Sequence, residues 1–467
     1  MAELLNIELD GRPVVSDTIS EPEIPVVRGQ KVYIETYGCQ MNVSDTELMM
    51  GILKRAGYQS SSRPEDADVV LLNTCAIREH AEERVVGRLN QLSYLKVKKP
   101  HLVMGVSGCM AKHLADEFMH RVPSVDLVLG PDSYRRLPDL IAEASREPAL
   151  DVRLDRDEDY LGLDPLRKNG THAWITIMRG CDKFCTFCIV PYVRGRERSV
   201  SAPEIVRQAE VAASEGFQEV TLLGQTVNSY RHGDCDFADL LQMVAGVDGI
   251  RRIRFTSPHP SDFTDKLIDT MAGEEKICRF VHLPVQSGSD SVLGAMKRNY
   301  TVSEYLNLVD RLRSTMQGLC LSTDVIAGFS GETEADFEAT LDLMRQVRYD
   351  SAFMFKYSPR EGTVAHREIA DTVSEVEKGR RLEAVIALQN QISEEINRTY
   401  VGKKLDILVQ GDAKKGKGLA VGKSDGFKTV VFPRSGIKDN TFVQVEIQKT
   451  TLKTLTGHPV LSQVASC

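Results

Sequence analysis

Apolar residues first fall into order at Lys31. Before that point, residues 1–28 carry three prolines, many charges and little periodicity, the pattern of a flexible N-terminal tail. KVYIETYGCQMN then reads as a strand ending at Cys39, and SDTELMMGILKRAGY as a helix with Ser44 as N-cap and Glu47 at the capping-box position. DVVLLNTCAIRE gives a second strand ending at Cys75, followed by a helix to about Leu95. HLVMGVSGCMAKH gives a third strand ending at Cys109 with another helix behind it, and VDLVLGPD a fourth strand. Strand, cysteine and helix thus recur, with the cysteines 36 and 34 residues apart, as successive βα units require. Parallel strands of a doubly wound sheet bring their carboxyl ends to one edge, so Cys39, Cys75 and Cys109 are expected to converge at a shared metal site.

The periodicity lapses over ALDVRLDRDEDYLGLDPLRK, within which residues 149–166 read as a linker between a first domain at 29–148 and a second at 167–399. From His172 a longer alternation begins. HAWITIMRG, EVTLLGQTVNS, RIRFTSPHP, FVHLPVQSGS, LCLSTDVIAGF and SAFMFKYSP are candidate strands, separated by helical stretches such as SAPEIVRQAEVAASEG. Six βα units are too few for the full eight-stranded form and predict an open or partial (β/α) barrel, closed by one long amphipathic helix, SEVEKGRRLEAVIALQNQISEEINRTY. Beyond Val401 short alternating segments with Gly- and Lys-rich turns predict a small β-barrel of about five strands over residues 400–465. The fold class expected is α/β multidomain: a doubly wound domain, a partial (β/α) barrel and a small β-barrel.

Composition narrows the function. With 42% hydrophobic and 27% charged residues, the chain reads as soluble and globular, and no apolar run is long enough to span a membrane. MAELLNIELDGRPVVSD lacks the basic and apolar regions of a secretory signal, which predicts a cytoplasmic protein with reduced cysteines. Of ten cysteines, six are patterned; Cys235, Cys278, Cys320 and Cys467 are not, and Cys278 and Cys320 read as small core residues. Net charge is −8, distributed as −5 over residues 1–150, −9 over 151–399 and +6 over 400–467. A basic terminal segment on an acidic body suits a handle for a polyanion.

The sharpest chemical signal is RGCDKFCTFCIVPYVRGRERS, where Cys181, Cys185 and Cys188 follow the first barrel strand. Three thiolates on one βα loop suit an iron–sulfur cube with its fourth iron open; a three-thiolate zinc site with a distant fourth ligand is the alternative. This spacing, with Phe184 and Phe187 beside the cysteines, resembles the cluster motif of the radical S-adenosylmethionine (SAM) superfamily. Further stretches (YGCQMN, LNTCAIRE, SGCMA, LLGQTVNSY, TSPHPSDF, HLPVQSGSDSVL, MKRNYT, TDVIAGFSGET, KYSPREGT) resemble its methylthiotransferase family from Lys31 to the C-terminus. One departure is Ser330 where the usual pattern has proline.

The resemblance implies a methylthiotransferase N-terminal domain, a radical SAM barrel and a C-terminal TRAM barrel that binds RNA. It implies two 4Fe–4S clusters, one on Cys181, Cys185 and Cys188 that activates SAM, and an auxiliary one on Cys39, Cys75 and Cys109 whose open iron holds a sulfur. A first SAM methylates that sulfur. A second yields a radical that takes hydrogen from a C–H bond, and the carbon radical couples to the methylthio group. Matching motifs nominate Gln225, Asn228, Ser257, Gln286, Ser287, Arg298 and Asp324 as SAM contacts. Gln225 stands where many members have a charged Gly-Gly-Glu motif. No acid–base constellation is evident, and His259 and His282 read as structural. Among the branches of the family the motifs are most similar to the one acting on N6-isopentenyladenosine at position 37 of tRNA. A threonylcarbamoyladenosine-directed enzyme and a non-enzymatic iron–sulfur RNA-binding or redox-sensing protein are the alternatives. Lys403, Lys404, Lys414, Lys415, Lys417, Lys423 and Lys428 are expected to grip the anticodon stem-loop, and Arg194, Arg196 and Arg198 to line its approach. An electron donor such as flavodoxin or ferredoxin and a sulfur donor are the other partners implied, with no membrane and a monomeric chain.

Overall fold

The computed structural model describes residues 29–75, 79–167 and 170–460. The expected N-terminal tail and the last residues of the expected terminal domain lie outside them. In the first domain, six parallel strands pair in the spatial order 59–60, 31–36, 69–74, 103–108, 127–129, 149–151. Central strand Val69–Thr74 is buried throughout because its side chains alternate between two cores. Val69 and Leu71 pack with Leu48, Met49, Ile52 and Leu53 of helix Gln40–Arg55 on one face. Val70 and Leu72 pack with Val85 and Leu89 of helix Glu79–Leu92 on the other. This is the doubly wound arrangement expected. The chain runs outward from strand Lys31–Thr36 to Gln59–Ser60 and then back inward to Val69–Thr74, so the sheet's switch point lies between 31–36 and 69–74.

Two expectations need correction. Helix Gln40–Arg55 begins directly after Cys39, so Ser44 lies inside it rather than capping it, and its hydroxyl meets Thr176 Oγ1 of the barrel at 3.0 Å. The linker does not start at 149: Ala149–Asp151 is the sheet's sixth strand, paired with Leu127–Leu129. The segment that follows is strapped down. Leu166 N donates to Glu47 O, Arg55 Nη1 donates to Gly162 O, and Tyr160 and Leu163 are buried in the first domain's core.

The second domain forms two parallel three-stranded sheets, 172–176/219–223/252–255 and 280–282/320–327/351–356. A bridge between Ile253 and Ile277 joins them, giving six strands in sequence order and leaving strands 172–176 and 351–356 as the two edges. All six predicted strands are present in this partial barrel. Helix Glu375–Arg398 lies against its last strand, with Gln389 Nε2 donating to Tyr349 O at 2.8 Å. No described helix is long and apolar enough to cross a membrane.

The third domain is a closed five-stranded barrel, Lys404–Asp412, Leu419–Ser424, Thr429–Pro433, Leu455–Pro459 and Phe442–Thr450 in spatial order. Its 424–427 turn plugs the amino-terminal end of the (β/α) barrel. There Arg252 donates to Asp406 O and Lys423 O, and Arg254 to Ser424 O and Asp425 O. Phe280 stacks on Phe427 at 5.0 Å between ring centroids.

Candidate functional site

Cys39, Cys75 and Cys109 follow three adjacent strands of the first sheet, at the edge where their carboxyl ends emerge. Glycine makes the close packing possible at two of these loops. Gly38 has φ +133°, and a Cβ on it would lie 2.6 Å from Cys75 Cβ. Gly108 has φ +93°, and a Cβ there would lie 2.5 Å from Thr74 O. Two fully buried amides tie the loops together. Asn42 Nδ2 donates to Asn73 Oδ1 and Thr74 O, and Asn73 Nδ2 donates to Asn42 O and Thr46 Oγ1. The thiols meet: hydrogen bonding between Cys39 and Cys75, assisted by the Arg194 charge, holds the Cys39 thiol down to about 6 despite burial. Burial pushes the Cys109 thiol up, although Arg194 Nε donates to its sulfur at 3.0 Å.

The second triad is local. Cys181 Sγ lies 3.3 Å from Thr226 Oγ1, Cys188 N donates to Cys185 O, and Arg298 Nη1 lies 3.5 Å from Cys185 Sγ. Burial, reinforced by the neighbouring Cys185, pushes the Cys188 thiol up to about 12. Lys183 anchors this loop to the 257–262 turn through Asp262 at 2.6 Å. None of the six cysteines forms a disulfide. A cubane seats each cysteine on a different iron, so its ligands line a pocket instead of meeting at one point. Among the described residues no three His, Cys, Asp or Glu side chains are gathered around a single ion position. Two thiol triads, neither joined by a fourth cysteine among the described residues, fit two such clusters in donor chemistry.

The two triads adjoin. Helix Val190–Arg194, just after Cys188, packs on helix Cys109–His113 through Ile189, Val193 and Cys109. Beneath them a fully buried ion network crosses the domain boundary: Asp45 accepts from Arg179 Nη1 at 2.8 Å and Arg194 Nη2 at 2.7 Å. Burial alone would raise the Asp45 carboxyl, but the two guanidiniums hold it below the usual carboxylate range.

Several expected contacts are placed elsewhere. Arg194 is buried against Cys109 and Asp45, and Arg198 is half-buried against Asp132, 2.8 Å away, so both clasp domains instead of lining a surface. Lys423 and Lys428 sit in the plug. Lys423 Nζ reaches Thr429 Oγ1 and the Phe427 ring, and Lys428 Nζ pairs with Asp350 at 2.7 Å. Lys403, Lys404, Lys414, Lys415 and Lys417 are exposed, but the first two and the last three lie at opposite ends of strand Lys404–Asp412, about 25–30 Å apart. Arg196 is exposed, paired with Asp182 over the Phe184 ring.

Of the nominated SAM contacts, Gln225 keeps its Oε1 buried with no hydrogen-bond partner among the described residues. Arg298 spans Cys185, Tyr300 and Pro284 O. Asn228 spends both ends of its amide on the His259 backbone, and Ser287 turns to Thr340 on the outer helix, so these two act as loop fasteners. Asp324 lies 3.4 Å from His282 Nε2. Ser257 and Gln286 both adopt positive φ at strand ends, +57° and +71°. His259 Nδ1 accepts from Ser261 N, and burial pulls its imidazole down to about 2. Sequence reasoning missed Asn42, Asp45, Asn73, Arg179 and Thr226. The doublets Gly38-Cys39, Gly108-Cys109 and Gly180-Cys181 were the visible signal for close-packed cysteine loops.

These features define a radical SAM enzyme with a second cysteine centre and an appended β-barrel. Residues 175–344 match the radical SAM superfamily, 398–460 the TRAM domain and 31–130 the uncharacterized protein family UPF0004. A radical SAM methyltransferase from Kitasatospora setae, solved with tryptophan and a SAM analogue, shares the fold at a TM-score of 0.55 and 13% identity, over 83% of this chain and 79% of that one. The tRNA-2-methylthio-N(6)-dimethylallyladenosine synthase of Chloroherpeton thalassium is 46% identical over 92% of this chain and 96% of its own. That of Porphyromonas gingivalis strain W83 is 45% identical over 92% and 95%. The chain belongs to the tRNA-2-methylthio-N(6)-dimethylallyladenosine synthase family.

Proposed function

We propose that the protein is a tRNA methylthiotransferase that converts N6-isopentenyladenosine at position 37 to its 2-methylthio derivative. The observation that carries this reading is the adjacency of two cysteine triads without disulfides, one local on the barrel and one assembled by the sheet, with helices 109–113 and 190–194 packed together between them. When bound, two 4Fe–4S clusters and SAM supply reductive sulfonium cleavage at one centre and a sulfur to be methylated at the other. Cys181, Cys185 and Cys188 would hold the first and Cys39, Cys75 and Cys109 the second. The unpartnered Gln225 Oε1 suits the SAM ammonium, and Arg298 steadies Cys185. The RNA grip falls to the exposed Lys414, Lys415 and Lys417 loop, with Lys403 and Lys404 at the far end of the same strand, and the approach to exposed Arg196, Phe184 and Tyr192 beside the cysteine loop. A flavodoxin- or ferredoxin-type electron donor, a sulfur donor, a monomeric chain and the cytoplasm complete the reading.

A mass-spectrometric nucleoside profile of tRNA from cells with and without the gene tests the substrate. Loss of 2-methylthio-isopentenyladenosine with accumulation of isopentenyladenosine is expected. Loss of the methylthiolated threonylcarbamoyl nucleoside instead would move the acceptor, and a reconstituted, reduced protein that forms no 5′-deoxyadenosine from SAM would overturn the enzyme.

A further inference from the structure

Arg194 lies six residues beyond Cys188, the last cysteine of the barrel's triad, yet its guanidinium serves the other triad. Nε donates to Cys109 Sγ at 3.0 Å and Nη2 to Asp45 at 2.7 Å, while Nη1 is buried with no partner among the described residues. Its side chain is 4% exposed and Asp45 not at all. Two guanidiniums, Arg179 and Arg194, share this one carboxylate, so Asp45 alone does not neutralise both, and the rest of the Arg194 guanidinium is turned to the cysteines. A buried charge is costly unless an anion completes its site. Three thiolates around a 4Fe–4S core supply a net negative charge that rises on reduction.

We infer that Arg194 is the positioning residue and counter-charge of the cluster held by Cys39, Cys75 and Cys109, delivered by the barrel domain to the first domain's cofactor. The inference rests on the proposed role of that triad. A guanidinium hydrogen-bonded to a ligand sulfur favours the more negative, reduced state and raises the cluster's potential. The auxiliary centre is therefore poised by the chain that carries the SAM-activating loop, and is complete only when the two domains are docked.

The test uses the full chain with Cys181, Cys185 and Cys188 replaced by alanine, so that only the auxiliary cluster contributes. EPR-monitored redox titration and iron content are compared for Arg194, Arg194→Lys and Arg194→Gln. The glutamine protein should titrate at a more negative potential, with the lysine protein between. A folded glutamine protein with full iron and an unmoved potential overturns the assignment alone; absence of iron from the parent overturns the cluster reading beneath it. If the glutamine protein does not fold, Arg194→Lys decides, because one ammonium cannot span Asp45 and Cys109 together. A lowered potential then upholds the inference and an unchanged one overturns it.

Discussion

The two cysteine triads reach similar chemistry by opposite routes. Cys181, Cys185 and Cys188 occupy one loop of eight residues, and their supports are separate side chains: Thr226 and Asp262 from turns after neighbouring strands, and Arg298 from just beyond helix Asp290–Ala295. Cys39, Cys75 and Cys109 are scattered over 71 residues. They meet only because three parallel strands end together, two glycines let the loops touch, and two buried asparagines and a cross-domain ion network lock them. A site encoded locally tolerates damage elsewhere, whereas one encoded by topology fails with its scaffold.

The largest effect should come from removing each triad outright. Cys39, Cys75 and Cys109 replaced together by alanine should drop bound iron from about eight to about four per chain, with SAM cleavage to 5′-deoxyadenosine retained and sulfur insertion lost. Cys185→Ala should abolish the cleavage. Loss of cleavage from a well-folded triple variant would break the division of labour. Next, Gly108→Ala strains a left-handed position and drives a Cβ into Thr74 O, so it should destabilise the protein by roughly 2–4 kcal/mol and halve the iron. The matching change in the local loop, Phe184→Gly, also at positive φ (+48°) but exposed, should stay within about 1 kcal/mol by thermal or urea unfolding.

A smaller effect separates the lysines. Replacing Lys414, Lys415 and Lys417 by alanine should weaken tRNA binding and flatten its salt slope by about 2–3, whereas Lys423→Ala, inside the plug, should leave that slope unchanged. The smallest is a pH effect. Burial, helped by Arg254, pulls the Lys423 ammonium from its ordinary 10.5 to about 8. Between those values the folded chain has released a proton that the unfolded chain still holds. Stability should therefore rise with pH from about 8 to 10.5, by on the order of 1–2 kcal/mol, and Lys423→Met should remove the rise.

The sequence exposed whatever is periodic or local. Six barrel strands, the strand–cysteine–helix repeat and the five-stranded terminal barrel are written in short-range alternation. What it hid depends on partners far along the chain. In RGRERS three arginines look like one basic surface, yet Arg194 meets Asp45, 149 residues away, and Arg198 meets Asp132; Arg196 alone stays in solvent. Lys423 and Lys428 likewise belong to a lysine-rich tract whose buried members are chosen by docking. Ala149–Asp151 was obscured because three edge residues beside a charged run carry too little alternation to register.

The plugged end of the barrel fixes a length. Arg252, Arg254 and Phe280 rivet the terminal domain to the floor beneath the strands whose opposite ends carry Cys181 and its neighbours. Whatever is held by the exposed lysine loop therefore stands at one set distance and angle from the reactive loops, as in a caliper. A nucleotide can then be chosen by how far along its stem it lies as well as by what it is.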